Sequence, residues 1–299
     1  MKSVTAEDIK GLYFPPANSH KGQNGRLLII GGSHLFHAAS LWALEVASRI
    51  VDLVHYSSVP ENNELMVKIK SEFRDGIVVP RSDVDSYIEE DDCILIGPGM
   101  MRDSETKELT NRLLKKYPQK QWVIDAGALQ MMDISLIPKN AILTPHHGEF
   151  VGVFGGEVGA EVGVMSFPRT RESITVKQYP TMDPRLRGDD KNAAQVEHFA
   201  KKHQCIVLVK GQKDIVCSPV ECRIIEGGNS GMTKGGTGDV LAGLIAALAC
   251  KNDPFLATIA GSFVNKRAGD TLYQKVGPYF NASDLAHQIP LTMKTLFFS

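Results

Sequence analysis

Gly227-Gly228-Asn229-Ser230-Gly231-Met232-Thr233-Lys234-Gly235-Gly236-Thr237-Gly238-Asp239 runs straight into the apolar stretch Val240-Leu241-Ala242-Gly243-Leu244-Ile245-Ala246-Ala247-Leu248-Ala249-Cys250. A loop of this kind exposes consecutive backbone N–H groups at a helix N-terminus, where the helix dipole also favours negative charge. Asp239 falls in the first helical turn, beside whatever anion the loop holds. A carboxylate there is placed to take a proton from a hydroxyl that attacks a phosphoryl group. A lone glycine would only end a strand, and a lone aspartate would only cap the helix. Six glycines in the twelve residues from Gly227 to Gly238, closed by an aspartate and a clean apolar helix, point instead to a phosphate site. Lys234 either adds charge to that site or is an exposed lysine.

Upstream, short apolar runs alternate with helical patterns. Leu27–Ile30 precedes Gly31-Gly32-Ser33, and Ala38 to Val51 then reads as a helix. Leu53–Tyr56 and Gly76–Val79 are further strand candidates. Cys93–Ile96 leads into Gly97-Pro98-Gly99, Trp122–Ile124 into Asp125-Ala126-Gly127, Ala141–Leu143 into Thr144-Pro145-His146, and Cys205–Val209 into Lys210-Gly211. Continuous apolar strands separated by helices predict an α/β fold with a mainly parallel central sheet covered by helices on both faces. The polar and glycine residues gather after the strands. In open α/β sheets the ligand crevice lies at that edge.

Bulk properties narrow the function classes. A formal net charge of −1 offers no basic field for nucleic acid or an anionic membrane. No apolar stretch approaches a membrane span, and the N-terminus lacks a signal region, so a cytoplasmic protein with no membrane association is expected. Cys93, Cys205, Cys217, Cys222 and Cys250 form no CxxC pair, and an odd count without a framework predicts reduced thiols rather than disulfides or zinc. From about Gly155 to Lys191 the chain is turn-rich and loses periodicity. A connection of that length in a compact domain is unusual. It reads as a surface insertion in a single domain spanning 1–299, with a binding lid as the alternative, before a helix from Asn192 to His203.

The ordered set of turns resembles the ADP/ATP-dependent NAD(P)H-hydrate dehydratases of the ribokinase-like fold. The matching motifs are His20-Lys21-Gly22, Gly31-Gly32-Ser33, Gly97-Pro98-Gly99, Asp125-Ala126, His146-His147-Gly148-Glu149-Phe150, Lys210-Gly211 and Gly235-Gly236-Thr237-Gly238-Asp239, with Asn281-Ala282-Ser283-Asp284-Leu285 near the end. The resemblance covers about His20 to Pro290, the insertion excepted. It implies a three-layer ribokinase-like fold and an enzyme that phosphorylates the ring hydroxyl of hydrated NADH or NADPH. Elimination of phosphate would then restore NAD(P)H, with ADP or ATP as donor and Mg²⁺ as cofactor.

The resemblance also implies roles. Asp239 is the base, and Gly235, Gly236, Thr237 and Gly238 present N–H groups to the transferring phosphate. Lys210, Gly211, Gln212, Lys213 and Asp214 line the nucleotide. Ala39, Gly99, His146 and Asp239 face the hydrated cofactor, and Glu149 holds Mg²⁺ through water. Three positions depart from the family pattern: His147 replaces proline, Ala38 replaces glycine, and Met101 replaces the third glycine of Gly-Pro-Gly-x-Gly. About twenty residues precede the matched region, too few for the N-terminal epimerase domain of two-domain relatives, so a separate epimerase is expected. A homo-oligomer, often a tetramer in the family, is implied as well, and Leu41, Trp42 and Leu44 suit an interface as readily as a core. The rival reading is a vitamin-precursor kinase of the same fold, which shares the Gly-Gly-Thr-Gly-Asp chemistry.

Overall fold

A computed structural model describes residues 1–155 and 188–298. Ten strands form one sheet: β1 (Lys2–Ser3), β2 (Arg26–Ile30), β3 (Leu53–Ser57), β4 (Ile77–Val78), β5 (Cys93–Ile96), β6 (Gln121–Ile124), β7 (Ile142–Leu143), β8 (Ile206–Val209), β9 (Asp214–Cys217) and β10 (Cys222–Ile225). Their order is β1-β10-β9-β8-β7-β6-β5-β2-β3-β4, and only β9 runs antiparallel to its neighbours. The α-helices among the described residues are α1 (Ala38–Ala47), α2 (Pro60–Lys68), α3 (Val84–Glu90), α4 (Ser104–Lys116), α5 (Ala126–Met131), α6 (His147–Phe154), α7 (Gly188–His203), α8 (Thr237–Ala249), α9 (Pro254–Val276) and α10 (Ala282–Phe298).

The period-2 alternation of the strands divides the apolar residues between two cores. Leu27, Ile29, Cys93, Leu95, Val123, Ile142, Ile206 and Leu208 pack on the face covered by α1, α8, α9 and α10. Leu28, Ile30, Ile94, Ile96, Trp122, Ile124, Leu143, Val207 and Val209 pack on the other, with α3, α4, α6 and α7. Both faces are buried, which is why these strands read as unbroken apolar runs. Helix α8 is apolar all round because α1, α9 and the sheet surround it.

The expected insertion at about 155–191 lies almost wholly outside the described residues. One other expectation changes. The hairpin β9–β10 was not legible because its residues read as ligand-loop chemistry. It aligns Cys217 with Cys222 as cross-strand partners, and the two form a disulfide with Cα atoms 4.1 Å apart. The expectation of reduced thiols therefore holds only for Cys93, Cys205 and Cys250. An odd cysteine count is compatible with one local bridge, and strand pairing supplies the proximity that spacing alone did not reveal. Of Leu41, Trp42 and Leu44, the last is fully buried, and the other two pack, partly buried, against the same cluster. No helix among the described residues is long and apolar enough to cross a membrane.

Topology positions the site. From β2 the chain moves outward to β3 and β4, then returns to place β5 on the other side of β2. The strand order reverses there, and a crevice opens beyond the strand ends at such a switch point. The turns after β8, β7, β6, β5 and β2 consequently stand side by side along one edge. Two of them interlock, Gly32 N–H donating to the Pro98 carbonyl at 2.7 Å and Gly97 N–H to the Ile30 carbonyl at 3.0 Å.

Candidate functional site

A cleft of about 750 Å³ lies over the ends of β7 and β8, between the turn Lys210–Asp214 and the glycine loop Gly227–Gly238. Six of the eight expected nucleotide residues line it: Lys210, Gly211, Gln212, Asp214, Thr237 and Gly238. His146 lines it as well. At the N-terminus of α8, Gly236 adopts φ +95°, and a side chain there would meet the Trp42 ring at 2.4 Å. Only glycine serves at that position. The N–H groups of the first helical turn lack partners further down the helix. Gly238 brings the backbone so close to Lys210 that a methyl group on it would lie 3.5 Å from the Lys210 Nζ.

Four charges converge beneath this loop. Lys210 donates to Asp125 Oδ1 at 3.0 Å, and the Thr144 hydroxyl donates to the same oxygen at 2.8 Å. Burial works against the Lys210 ammonium, but the carboxylates of Asp125, Glu149 and Asp239 outweigh it and hold its pKa above the ordinary lysine value. Burial, reinforced by the like charge of Asp125 and less by Glu149, pushes Asp239 up to about 7, with Lys210 partly offsetting. Asp239 thus titrates near neutrality, where a general base is most effective. Ala126, the first residue of α5, takes φ +43° and so turns the chain sharply after Asp125.

The His146 and Glu149 side chains complete a capping box at the start of α6. Glu149 N–H donates to His146 Nδ1 at 3.1 Å, and His146 N–H donates to Glu149 Oε2 at 2.9 Å. Because Nδ1 accepts, the ring proton sits on Nε2, which lies 3.6 Å from Glu149 Oε2 at the wall of the cleft. Gln130 Nε2 donates to Glu149 Oε1 at 2.6 Å, so both carboxylate oxygens are already oriented. His147 occupies the first helical position, where a proline would be accepted without losing a hydrogen bond. That departure leaves the local geometry intact.

Other expected residues stand differently. Lys213 lies outside the cleft lining and pairs with Glu226 at 2.9 Å. Gly235 is exposed and does not line the cleft. Asp214 shapes the loop with its carboxylate, accepting from Gly211 N–H at 2.9 Å, Ser262 Oγ at 2.7 Å and Lys266 Nζ at 3.2 Å. The Thr237 hydroxyl is committed to the Met232 and Lys234 carbonyls, and its N–H donates to the Lys234 carbonyl at 3.4 Å. Lys234 donates to the Pro278 carbonyl and covers the Phe280 ring at 5.3 Å, the exposed-lysine reading rather than a phosphate contact.

Gly99 and Ala39 sit at the strand-order switch, packed on each other: a methyl group on Gly99 would meet the Ala39 Cβ at 3.0 Å. Over them stands the loop carrying Leu35 and Phe36, both more than half exposed. Met101 lines a separate, smaller cavity beside Gly32, Ser33 and Arg81. Sequence reasoning assigned no role to Thr144, Lys266 or Asp270, which position the site from a strand end and from α9. Only the Asp125-Ala126 motif could have flagged Asp125.

Replacing Asp125 by Asn removes a like charge from Asp239 and leaves Lys210 without its carboxylate partner. Both changes lower the Asp239 pKa from about 7, while burial keeps it above the usual carboxylate range. Carboxyl ¹³C NMR of Asp239 in the two proteins checks this, and an unmoved titration would disprove the coupling.

A family model described as NAD(P)H-hydrate dehydratase matches residues 27–291. The bifunctional NAD(P)H-hydrate repair enzyme Nnr of Methanocaldococcus jannaschii is 34% identical over 297 residues, covering 96% of this chain and 52% of the relative. The chain thus spans about half the length of that relative. The ADP-dependent (S)-NAD(P)H-hydrate dehydratase of Nitrosopumilus maritimus is 30% identical and covers 93% of this chain and 91% of its own. Among solved structures, the ADP/ATP-dependent NAD(P)H-hydrate dehydratase from Bacillus subtilis co-crystallized with ATP/Mg²⁺ superposes with a TM-score of 0.77. That match covers 99% of this chain and 98% of the other at 23% identity. The likeness at that identity is one of fold, and it agrees with the three-layer ribokinase-like architecture.

Proposed function

The chain belongs to the NAD(P)H-hydrate dehydratase family, and on that premise we propose that it restores NADH and NADPH from the S-epimer of their hydrates, with ADP or ATP as phosphate donor. The observation that carries the reading is Asp239: a carboxyl poised near neutrality, in the first turn of a glycine-led helix, beside the partly buried Lys210 beneath the same loop.

In the proposed sequence Asp239 takes the proton of the ring hydroxyl as its oxygen attacks the terminal phosphorus, displacing AMP from ADP or ADP from ATP. The first-turn N–H groups and Lys210 hold the charge that develops on the phosphoryl oxygens. Breaking the carbon–oxygen bond then expels inorganic phosphate, pushed by the ring nitrogen's electron pair. Loss of the neighbouring carbon-bound proton restores the double bond. In this reading His146, on the cleft wall, would contact the substrate through its ring.

Mg²⁺ would neutralise phosphate charge. Among the described residues no group of three acidic, histidine or cysteine side chains could hold a metal directly. Magnesium retains much of its water shell, and Glu149, with both oxygens oriented and spare lone pairs, suits a water-mediated contact. The two relatives named as ADP-dependent favour ADP as donor. An epimerase that supplies the S-hydrate, a homo-oligomeric state and a cytoplasmic setting belong to the same reading.

The test is incubation with hydrated NADH, Mg²⁺ and ADP or ATP. The dihydronicotinamide absorbance should recover in step with release of inorganic phosphate. A phosphorylated alcohol without recovered absorbance would identify a kinase of the same fold. Nucleotide binding without turnover would leave only a binding protein.

A further inference from the structure

Helix α9 turns a polar stripe toward the loops that wall the cleft. Ser262, Lys266 and Asp270 recur at helical spacing, and each ties a loop down. Ser262 bonds Asp214. Lys266 donates to the Gly211, Gln212 and Gly227 carbonyls at 3.1, 3.1 and 3.2 Å. Asp270 accepts from Gly228 N–H at 3.2 Å and Asn229 Nδ2 at 3.1 Å.

Asn265 lies beside that stripe, lines the same cleft and is 4% exposed. Its carboxamide oxygen is buried and has no hydrogen-bond partner. An unsatisfied buried acceptor is costly, whereas Ser262, Lys266 and Asp270 on the same helix are each paired with protein groups. The cleft beside it is apolar at Met232 and Leu241, surfaces suited to a flat ring. A carboxamide left unpaired in such a pocket is explained when its partner is the ligand.

Resting on the nucleotide reading of this cleft, we propose that Asn265 selects the base. Its oxygen accepts from the exocyclic amine of a 6-aminopurine while its NH₂ donates to an adjacent ring nitrogen, the two-point pairing that asparagine makes with adenine. A 6-oxopurine presents an acceptor to that oxygen and leaves both unpaired. Sites built to hydrogen-bond a group discriminate strongly against analogues lacking it.

Calorimetric binding of ADP and IDP, which differ at purine position 6, tests this with Mg²⁺ present and no hydrate. Wild type should bind ADP at least tenfold more tightly than IDP. Asn265→Leu should weaken ADP at least tenfold and leave IDP within threefold, so that the preference collapses. An unchanged ADP-to-IDP ratio in the variant overturns the assignment. Wild type alone supplies a second measurement that no folding defect can affect. N6,N6-dimethyl-ADP, which lacks the N–H donor, should bind at least tenfold more weakly than ADP, and equal binding overturns the assignment. If wild type binds neither ADP nor IDP, the nucleotide reading of the cleft fails, and the base assignment with it.

Discussion

Asp239→Asn is expected to lower turnover of hydrated NADH by roughly 10²–10⁴-fold, the usual contribution of a general base, while ADP binding stays within a few-fold of wild type. The amide keeps the size and the helix position but cannot accept the hydroxyl proton. In the proposed site, nucleotide binding would rest on Lys210, the turn after β8 and the first-turn N–H groups, none of which the substitution removes. Single-turnover kinetics beside calorimetric ADP binding check both halves. A variant close to the wild-type rate would remove Asp239 from the chemistry.

The same substitution has a stability consequence. Asp239 has a folded-state pKa of about 7 against 3.8 for the ordinary carboxyl. An acid whose pKa is raised by folding binds its proton more tightly in the native state. Its contribution therefore favours folding below about pH 4 and is lost as pH rises toward 7. At pH 8 the ionised carboxylate costs at most about 4 kcal/mol, which the neutral amide does not incur. Asp239→Asn should melt several degrees higher than wild type at pH 8 and no higher at pH 4. Thermal unfolding at the two pH values reads this directly. A proposed general base that weakens its own fold fits the trade of stability for function at a site.

Gly97→Ala should be the most destabilising single methyl group in the site. Gly97 holds φ +124°, and a Cβ there would sit 1.8 Å from the Asp125 carbonyl oxygen and 3.1 Å from the Ala128 Cβ. Backbone strain and overpacking together cost roughly 4 kcal/mol, a large share of a typical folding free energy. The obstructing atom is backbone at the end of β6, so no side chain can swing away. Relief would have to move Asp125, and with it Lys210. Denaturant unfolding should show a much lower midpoint, and any folded fraction should bind ADP poorly. A midpoint within experimental scatter of wild type would refute the contact.

Much of the fold was legible. Seven strand candidates, from Leu27–Ile30 to Cys205–Val209, correspond to β2 through β8. Their doubly buried apolar runs are a local signal that survives without tertiary information. The hairpin β9–β10 was missed because Asp214-Ile215-Val216-Cys217 begins in ligand-loop chemistry and carries only a short apolar run. That miss also hid the Cys217–Cys222 bridge. The site was legible in its residues more than in their duties. Asp214 and Lys213 match the nucleotide segment by position, yet one braces the loop and the other pairs at the surface with Glu226. Asn265 was invisible, because an asparagine within a long helix carries no distinctive spacing.

The sequence by itself determined the strand periodicity, the row of strand-end turns, and the glycine loop that leads into α8. These follow from covalent geometry and from patterns repeating over a few residues. The tertiary structure alone decided what that loop's aspartate is worth. Asp239 stands near neutrality because burial and the charge of Asp125 act on it together, while Lys210, 85 positions from Asp125 in the chain, restrains both. Desolvation and Coulomb interactions depend on distance through space, and the order of residues along the chain does not record that distance.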